Sequence, residues 1–362
     1  MRILHYVDEN NLSWSKPWLD LLAKIREMDS SIEHFVVCRP GGTLAERARE
    51  EGFKVLEYRP MFAWNPALCR GFDNLLEEIK PDVIHTRLSS AAFIGSYWGK
   101  KKNIPVAATV DKFPKGRYYA NSTLLIAPST AIAKHMESQG FSTDRIKVVA
   151  NPVAVKKYEP NLKEREKLRN QEDVKPSELV ILGMGRFVPW KGFDLLIRAV
   201  GALGADRPIS LWLVGDGPMR EELVKLAEEV FRGLSNRRVK FFPFAKDVRP
   251  FLWASDLFVQ PSYHVPGSGG PEAFGIALLE AMASGLPVVA FACGGTLDLV
   301  RDGHNGWLAE PGNLDSLREV LQKALHAVPD EAKSLNAIEE AKRYDVATIA
   351  EKSLELYREL AR

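Results

Sequence analysis

The chain has 362 residues, of which 46% are hydrophobic and 27% are charged. That length exceeds one ordinary hydrophobic core and fits two domains of about 150 residues each, and the composition excludes a disordered or fibrous protein. Lysine and arginine number 49 against 47 acidic residues, a net charge of +2, which argues against a dedicated nucleic-acid binder because such proteins carry a strongly basic face.

Short apolar runs alternate with amphipathic segments of helical length in the first half of the chain. Helices are predicted at 18–28, 68–79 and 91–100, and strands at 3–7, 34–38, 55–58, 83–85, 106–109, 124–127 and 147–149. Strands separated by helix-length segments predict right-handed crossovers and a mostly parallel sheet that is covered on both faces.

A polar, charged stretch with three prolines, residues 151–178, predicts an interdomain connection. The alternation then restarts, and the chain reads as wholly helical after a strand at 307–309. Strands are predicted at 179–184, 210–214, 239–242, 257–260 and 288–291, with helices at 193–203, 220–231, 247–254 and 275–284. We therefore expect an α/β protein with two doubly wound domains, residues 1–155 and 156–343, and a ligand cleft between them.

Cysteine usage and the lack of long apolar runs favour a soluble protein of the reducing cytoplasm. Cys38, Cys69 and Cys293 lie far apart, without the spacing of a metal site or a disulfide framework. The opening residues, MRILHYVDENN, fit a buried first strand rather than a signal peptide. No apolar run approaches the ~18 residues that a membrane span needs.

A basic bias in the first half leaves peripheral membrane binding open. Residues 1–160 carry 23 basic and 18 acidic side chains, which favours an anionic substrate or an acidic membrane surface, or reflects ordinary scatter. Three tryptophans with cations nearby either form an interfacial membrane surface or pack a helix on its own sheet. The residues concerned are Trp14, Trp18 and Trp64 with Lys16 and Arg70. Association with the inner membrane is therefore one expectation.

Several motifs of other enzyme classes are absent from the sequence. No GxGxxG follows the first strand, which argues against a nicotinamide dehydrogenase, and Lys191 lacks the glycine spacing of a P-loop. Neither GxSxG, nor HExxH, nor a pair of aspartates two residues apart that could chelate a metal–diphosphate occurs. The sequence thus gives no support to metal-dependent or serine-nucleophile chemistry.

The strongest functional signal is PSYHVPGSGGPEAFGIALLEAMASGLPVVAFACGG at 261–295. Glycines at 267, 269 and 270 make a loop that can bring backbone close to a ligand. The helix that follows is apolar almost all round, so it is predicted to be buried. Its first residues offer unpaired N–H groups, to which a phosphate can bind.

Two glutamates lie eight residues apart in this segment. Glu280 falls in the middle of the apolar helix, where an unpaired carboxylate would be costly, so it must meet a protein group or a ligand hydroxyl. If Glu272 were also helical, the two carboxylates would stand ~12 Å apart, too far for one acid–base pair but suited to one extended ligand. The two glutamates, together with the unpaired N–H groups at the start of the helix, indicate a nucleotide-sugar site. The structural alternative is a helix capped by Glu272 with Glu280 in an ion pair.

Two cations accompany the first strand of the second domain. Arg186 follows that strand and Lys191 opens the next helix. Both are expected at the carboxyl edge of the sheet, where a diphosphate would lie. Taken alone, each also fits an ordinary solvated surface charge.

These segments, in this order, resemble the retaining glycosyltransferases of family 4, also called glycosyltransferase group 1. The matching stretches are GRFVPWKGFDLLIRA, VGDGP, ASDLFVQPS, EAFGIALLEAMASGLPVVA, GG and DGHNGWLAEPGN. The first domain matches mainly in DVIHTR and IAPST. The resemblance implies the GT-B fold, with an acceptor domain at 1–155, a donor domain at 156–343, and a helix at 344–362 that returns to the first domain.

The resemblance also implies the roles of individual residues. Arg186 and Lys191 correspond to the cations that neutralise the donor diphosphate. Glu272 corresponds to the glutamate that contacts the donor sugar and supports positive charge at the reacting carbon, and Glu280 to the one that holds the ribose hydroxyls. Such cations and carboxylates suit a leaving diphosphate and donating hydroxyls. Backbone groups that would cradle the phosphates are those of Phe274, Gly275 and Ile276.

The first domain departs from the family pattern. A glycine-rich loop often follows the first strand in the family, whereas this chain has DENNLSWSKPW at 8–18. The family commonly has a histidine near the donor sugar after the strand at 106–109. Asp111 stands nearest that place, and His85 is the alternative, although a histidine at a strand end also fits a structural role.

The resemblance implies transfer of a hexose-type sugar from a nucleotide-diphosphate sugar to an acceptor hydroxyl, with retention and without a metal or a bound cofactor. UDP is favoured over GDP on family frequency. Lipopolysaccharide or another cell-surface glycan is the expected acceptor by analogy. Two alternatives remain: a GT-B sugar-nucleotide epimerase, and a non-catalytic sugar-nucleotide binding protein.

Overall fold

Two parallel β-sheets organise the protein, one of seven strands and one of six in the described part of the chain. The structure is a computed structural model and describes residues 1–11, 15–204, 207–267 and 270–362. The chain forms two units, one of Met1–Ala154 with Tyr344–Arg362 and one of Val155–Arg343.

The first unit has the strand order β3-β2-β1-β4-β5-β6-β7, with every pair parallel. Its strands are β1 Arg2–Val7, β2 Glu33–Cys38, β3 Lys54–Glu57, β4 Val83–Arg87, β5 Val106–Thr109, β6 Leu124–Ala127 and β7 Ile146–Val148. β4 and β5 are buried along their whole length. Continuous burial is expected for parallel strands covered on both faces.

Helices cover this sheet. They are α1 Ser15–Met28, α2 Thr43–Glu50, α3 Arg70–Ile79, α4 Ser89–Lys102, α5 Thr130–Ser138 and the C-terminal helix Val346–Leu360. The C-terminal helix buries Ile349 and Tyr357 in one apolar cluster with Ile3 and Val83 of the sheet. The segment that leads into it is fixed by the Val153 N–H, which donates to the Tyr344 carbonyl at 2.9 Å.

The second unit has the strand order β10-β9-β8-β11-β12-β13, again all parallel. Its strands are β8 Leu179–Met184, β9 Ile209–Val214, β10 Arg237–Phe242, β11 Leu257–Gln260, β12 Val288–Phe291 and β13 Trp307–Ala309. Its helices are α6 Val155–Tyr158, α7 Leu162–Gln171, α8 Phe193–Gly201, α9 Arg220–Val230, α10 Arg249–Ala254, α11 Ile276–Ala283, α12 Thr296–Leu299, α13 Leu314–Ala327 and α14 Glu331–Lys342.

The predicted fold class, two Rossmann-like doubly wound α/β domains, is confirmed. Every strand predicted above is present, and no end differs from the prediction by more than two residues. The segment predicted to be wholly helical after β13 divides into three helices. Side chains of Asn313, Asp330 and Asp345 cap their first turns, which is where the polar interruptions in that segment lie.

The prediction that 151–178 serves as a connection is wrong for most of its length. Asn161 caps α7 by accepting from the Glu164 N–H at 3.2 Å. Arg165 and Arg169 of that helix both pair with Asp256 of the same unit. The charges that suggest a solvated linker therefore dock a helix instead.

The predicted tryptophan surface is not formed as a unit. Trp18 is 1% exposed and lies in an apolar cluster with Val36 and Leu44, so it takes the packing alternative. Trp64 is exposed, and Trp14 lies outside the described residues. No helix in the described ranges is long and apolar enough to cross a membrane.

Candidate functional site

In the second unit the strand order reverses between β8 and β11. The chain passes from β8 to β9 and β10 on one side, and returns to β11 on the other. The segments that leave the carboxyl ends of β8 and β11 therefore emerge next to each other, which is where doubly wound sheets bind ligands. The first segment carries Arg186 and Lys191, and the second carries Glu272 and the start of α11.

Glycine allows these two segments to touch. Gly192 has φ +65°, and a Cβ there would lie 2.1 Å from the Pro261 carbonyl oxygen. The Tyr263 N–H donates to the Trp190 carbonyl at 2.9 Å. Any larger residue at 192 would separate the two backbones. This approach brings Lys191 to the end of β11.

Lys191 and Glu272 form an ion pair, and only 13% and 14% of their side chains are exposed. The Ser262 hydroxyl donates to the same Glu272 oxygen at 3.0 Å. The Lys191 Nζ also lies 4.7 Å from the centre of the Trp190 ring, a cation–π contact. The structure therefore brings together a cation and a carboxylate that the sequence assigns to one ligand.

Backbone contacts from a Gly-Gly pair fix the segment that bears Glu272. The Gly295 N–H donates to the Glu272 carbonyl at 2.8 Å, and a Cβ on Gly295 would lie 2.4 Å from the Phe274 Cα. Next to them, the Cys293 thiol donates to the Ser262 carbonyl at 3.2 Å. Burial, with a smaller effect of the Glu272 charge, raises the pKa of Cys293 to about 11, which keeps it a neutral donor.

The N-terminus of α11 is open to an anion. Gly275, at φ +106°, precedes the helix and no side chain caps it within the described residues, so Glu272 is not the cap that the structural alternative required. The first helical N–H groups, beginning at Ile276, have no acceptor inside the helix. Phe274, which precedes Gly275, is 2% exposed.

Gln260, at the end of β11, points its amide at this helix start. Its Nε2 is buried and has no hydrogen-bond partner in the described part of the chain. The same atom lies 3.1 Å from where a Cβ on Gly275 would stand. A buried amide donor without an acceptor is costly, so a ligand oxygen at the α11 N-terminus would relieve it.

Glu280, in the middle of α11, is mostly buried and accepts a hydrogen bond of 2.7 Å from the Tyr158 hydroxyl. Burial raises the pKa of Glu280 to about 7, the Tyr158 bond lowers it in part, and the charge of Asp247 raises it further. Burial and the same carboxylate raise the pKa of Tyr158. Glu280 therefore has a hydroxyl partner rather than the ion pair of the structural alternative.

Arg186 stands apart from this cluster. Its side chain is exposed, and within the residues that the structure describes its guanidinium makes no ion pair. It follows directly on the carboxyl end of β8. It is thus a cation available to an incoming anion. In the predicted glycine loop, Gly267 has φ +78°, and a Cβ there would meet no described atom within 4 Å, while Gly269 lies outside the described residues.

In the first unit, His85 makes the contacts expected of the structural alternative, and the sugar contact stays a prediction. Its side chain is buried, with Nδ1 2.6 Å from the Tyr357 hydroxyl and Nε2 2.8 Å from the Thr109 hydroxyl. Burial, with a smaller effect of Arg87, lowers the pKa of His85 to about 3. Both ring nitrogens are hydrogen-bonded to protein groups in this structure.

Asp111 is likewise engaged by the protein. It pairs with Arg87 and accepts from the Leu88 N–H at 3.2 Å. Leu88 has φ +72°, a conformation that non-glycine residues rarely adopt. Arg87 in turn donates to the Asn151 side chain at 2.9 Å. Asp111 therefore holds a strained turn at the carboxyl end of β4.

Sequence reasoning missed three residues of the site: Tyr158, Gln260 and Ser262. Tyr158 lies in the stretch that its composition marks as a connection. Gln260 and Ser262 flank Pro261 at the end of an apolar strand, where a polar residue reads as the start of a loop. The one signal that could have found Gln260 and Ser262 is their position at the carboxyl end of β11, where parallel sheets collect ligand-binding residues.

Comparisons with known proteins identify the family of this chain. The family described as glycosyl transferases group 1 matches residues 164–344, and glycosyltransferase family 4 matches residues 21–157. The lipopolysaccharide core biosynthesis glycosyltransferase LpsE of Rhizobium meliloti (strain 1021) is 32% identical over 67% of this chain and 65% of its own length. LpsD of the same organism is 31% identical over 72% of this chain and 70% of its own length.

A solved structure has the same fold over the whole chain. The structure of Anabaena Alr3699/HepE in complex with UDP superposes with a TM-score of 0.85 and 24% identity, over 99% of this chain and 100% of that one. With two family matches that together span most of the sequence, and a site built from the residues that carry the family's motifs, this chain belongs to the group 1 glycosyltransferases of family 4 and has their GT-B fold.

Proposed function

We propose that this protein is a retaining glycosyltransferase that moves a hexose-type sugar from a nucleotide-diphosphate sugar, with UDP favoured, to an acceptor hydroxyl. The observation that carries the proposal is the Lys191–Glu272 pair beside the open N-terminus of α11, at the strand reversal of the second unit. A cation, a carboxylate and free N–H groups are what a sugar diphosphate requires.

Donor binding would replace contacts that the protein now makes with itself. The diphosphate takes Lys191 from Glu272, and it also meets Arg186 and the backbone around Gly275. Glu272, released from the lysine, accepts hydrogen bonds from the sugar hydroxyls. Glu280, at a pKa of about 7, accepts from the ribose hydroxyls in its ionised form.

The transfer itself needs no protein nucleophile in this proposal. The bond from the anomeric carbon to the diphosphate oxygen breaks, and its electron pair leaves with the diphosphate. The acceptor oxygen bonds to the same face of that carbon, and its proton passes to a phosphate oxygen. Arg186, Lys191 and the helix N-terminus stabilise the charge that grows on the diphosphate.

These groups also support transfer without a metal ion, because two side-chain cations and a helix end offset phosphate charge. Across the described residues, no three histidine, cysteine or carboxylate side chains come together as a metal site. The relation to LpsE and LpsD supports lipopolysaccharide or another cell-surface glycan as the acceptor. Such an acceptor is held at a membrane, so the proposal includes a cytoplasmic enzyme that associates peripherally with the inner membrane.

A thermal-shift comparison of nucleoside diphosphates tests the donor site. Binding to the native state alone stabilises it by about 2.7 kcal/mol at a hundredfold excess over Kd. UDP is expected to raise the melting temperature more than GDP or ADP. A Lys191→Ala variant is expected to lose most of this shift. Lys225→Ala, at an exposed lysine on α9, is the matched control and should keep it.

Product analysis separates transfer from the two alternatives. With a UDP-sugar alone, the proposed enzyme leaves the donor sugar's identity unchanged, and transfer requires an added acceptor. Interconversion of donor sugars without an acceptor would instead establish an epimerase. Tight UDP binding with neither reaction, across a panel of cell-surface glycan acceptors, would favour the non-catalytic binding protein.

A further inference from the structure

Exposed large apolar side chains concentrate in one short segment of the first unit. Met61 is 78% exposed, Phe62 38%, Trp64 73% and Leu68 48%. The segment, residues 59–70, begins two residues after β3 and ends at the first residue of α3. Single exposed apolar residues are ordinary on protein surfaces, whereas a contiguous group marks a site of interaction.

The backbone of the segment is held in place from within. The Trp98 indole N–H donates to the Pro66 carbonyl at 2.9 Å, and the Asn65 N–H donates to the Phe62 carbonyl at 2.9 Å. The Cys69 thiol also donates to the Phe62 carbonyl, at 3.5 Å. Since these bonds fix the loop, its apolar side chains are held outward rather than free to fold back.

Two aromatic rings contact each other at the tip of the segment. The Phe62 and Trp64 rings meet edge to face, with centroids 5.9 Å apart. Tyr58 precedes the segment and Phe72 follows it, and their ring centroids lie 5.8 Å apart. The loop is therefore narrow at its base, and its ends come together on the body of the unit.

The segment is also cationic. Arg59 and Arg70 are exposed at its two ends, and no acidic residue occurs from 58 to 72. Neither guanidinium has an ion-pair partner among the residues described here. A third cation, Lys101, lies 5.0 Å from the ring of Trp98, whose indole anchors the loop. The nearest acids on α3, Asp73 and Glu77, are both paired with Lys102.

We infer that residues 59–70 are the surface with which the protein docks on a bilayer of anionic phospholipids. Apolar tips, an exposed tryptophan and flanking arginines are the features with which proteins enter the interface between lipid headgroups and acyl chains. The arginines complement lipid phosphates. Two copies of this chain meeting at the same surface would face four arginines towards one another, so charge complementarity favours lipid over self-association.

This inference rests on the membrane association within the proposed function and names the surface responsible for it. It also replaces the surface expected from the sequence, because Trp18 is buried while Trp64 is not. The donor site lies in the other unit, so docking and nucleotide binding can be measured independently.

Vesicle co-sedimentation of the full chain tests the inference. The two probes are vesicles of phosphatidylcholine alone and of phosphatidylcholine with phosphatidylglycerol. Wild-type protein is expected to sediment with the anionic vesicles and to be released by salt. A Met61→Ser/Trp64→Ser variant should bind at least about tenfold more weakly, since two apolar side chains no longer leave water. Arg59→Gln/Arg70→Gln should lose the preference for anionic vesicles.

The matched control is Leu162→Ser/Leu335→Ser, which removes two apolar residues of similar exposure, 71% and 67%, from the second unit. It should bind vesicles like the wild type. Every variant should keep its UDP-induced thermal shift, which shows that it is folded and separates this inference from the donor site. Wild-type-like vesicle binding by the segment variants would overturn the inference. So would a dimer that Met61→Ser/Trp64→Ser dissociates, with no binding to either vesicle.

Discussion

Lys191 donates to Glu272 across 81 positions of sequence, and both side chains are largely withdrawn from solvent. The pair joins the loop after β8 to the loop after β11, and Ser262 supplies a second donor to the same carboxylate. Each partner satisfies the other's charge in this state. A ligand that offers a diphosphate to one and hydroxyls to the other can therefore replace the pair without leaving either charge unpaired.

Replacement of Lys191 by alanine should weaken the binding of free UDP by about ten- to a hundredfold. The expected loss, roughly 1.5–3 kcal/mol, is that of a hydrogen bond to a charged group. Calorimetric titration measures it, with Lys225→Ala as the control. Equal affinity in Lys191→Ala and the wild type would refute the diphosphate contact.

The same substitution leaves Glu272 without its cation, and this effect on folding needs its own control. The double variant Lys191→Ala/Glu272→Gln carries no unpaired charge at this position. It should recover most of the stability that Lys191→Ala loses, while UDP binding stays weak. Denaturant unfolding followed by hydrogen exchange at β11 measures the stability of the unit that contains the pair.

Glu272→Gln should abolish sugar transfer, while donor affinity falls only modestly. The amide keeps the shape of the side chain and one acceptor oxygen, but it removes the negative charge that supports the reacting carbon. We expect kcat to fall by at least about a hundredfold, the scale seen when one electrostatic contact to a transition state is removed. Unchanged turnover would contradict the assigned role.

Tyr158→Phe should move the pH dependence of UDP binding to higher pH. The Tyr158 hydroxyl bond stabilises the ionised form of Glu280, so its removal raises the pKa of Glu280 above its present value of about 7. Ribose hydroxyls donate best to the ionised carboxylate, so the affinity for UDP rises as the pH passes the pKa of Glu280. In the variant this rise occurs at a higher pH. Calorimetry between pH 6 and pH 9 measures the two midpoints.

A purely structural role for Tyr158 would give a different result. The variant would then lose stability, while the midpoint of its binding curve stayed where it is in the wild type. Tyr263→Phe is the matched control, since Tyr263 belongs to the same unit and its ring packs on Phe291. Its midpoint should equal that of the wild type.

The first unit should lose stability as the pH falls below about 6.5, the pKa of a histidine in an unfolded chain. Burial lowers the pKa of His34 to about 4 and that of His85 to about 3. The pKa of His5 is also lowered, first by burial and then by the charges of His34 and His85. His5 Nε2 and His34 Nδ1 lie 2.9 Å apart. Protonating the cluster would place like charges together in the core.

The direction follows from proton uptake. Below pH 6.5 the unfolded chain binds protons that the folded unit does not, so each buried histidine costs roughly 1.4 kcal/mol of stability per pH unit until its folded pKa is reached. Hydrogen exchange of β1 and β2 amides at pH 7 and pH 5 measures the loss. His34→Gln, which cannot titrate, should flatten the slope. An identical slope in the variant would contradict the assignment.

Much of the candidate site could be predicted from the sequence, because its residues are adjacent to strongly patterned elements. Arg186 follows a run of apolar strand residues, and Glu280 interrupts an apolar helix, where a carboxylate requires a partner. The identity of that partner was not predictable. Tyr158 precedes Glu280 by 122 residues, and no local pattern links the two. The pairing of Lys191 with Glu272 was unpredictable for the same reason.

In the first domain the sequence left more than one interpretation open for its candidate residues. His85 lies near the end of a strand, a position that fits both a ligand contact and a core residue. Only the packing of the C-terminal helix shows that the Tyr357 hydroxyl forms a hydrogen bond with its Nδ1. Asp111 stands where the family resemblance expects a contact, yet it pairs with Arg87 and holds the turn at Leu88. The charged stretch before β8 resembles a linker because the partner of its arginines, Asp256, is distant in sequence.

The sequence by itself determined the two parallel sheets, the succession of strands and helices along the chain, and the family, because apolar periodicity and glycine motifs act over a few neighbouring residues. Only the tertiary structure decided which charges neutralise each other, which histidine is buried, and which tryptophan reaches solvent. Those outcomes depend on burial and on hydrogen bonds between residues far apart in the chain. Both arise only when the helices and strands pack together.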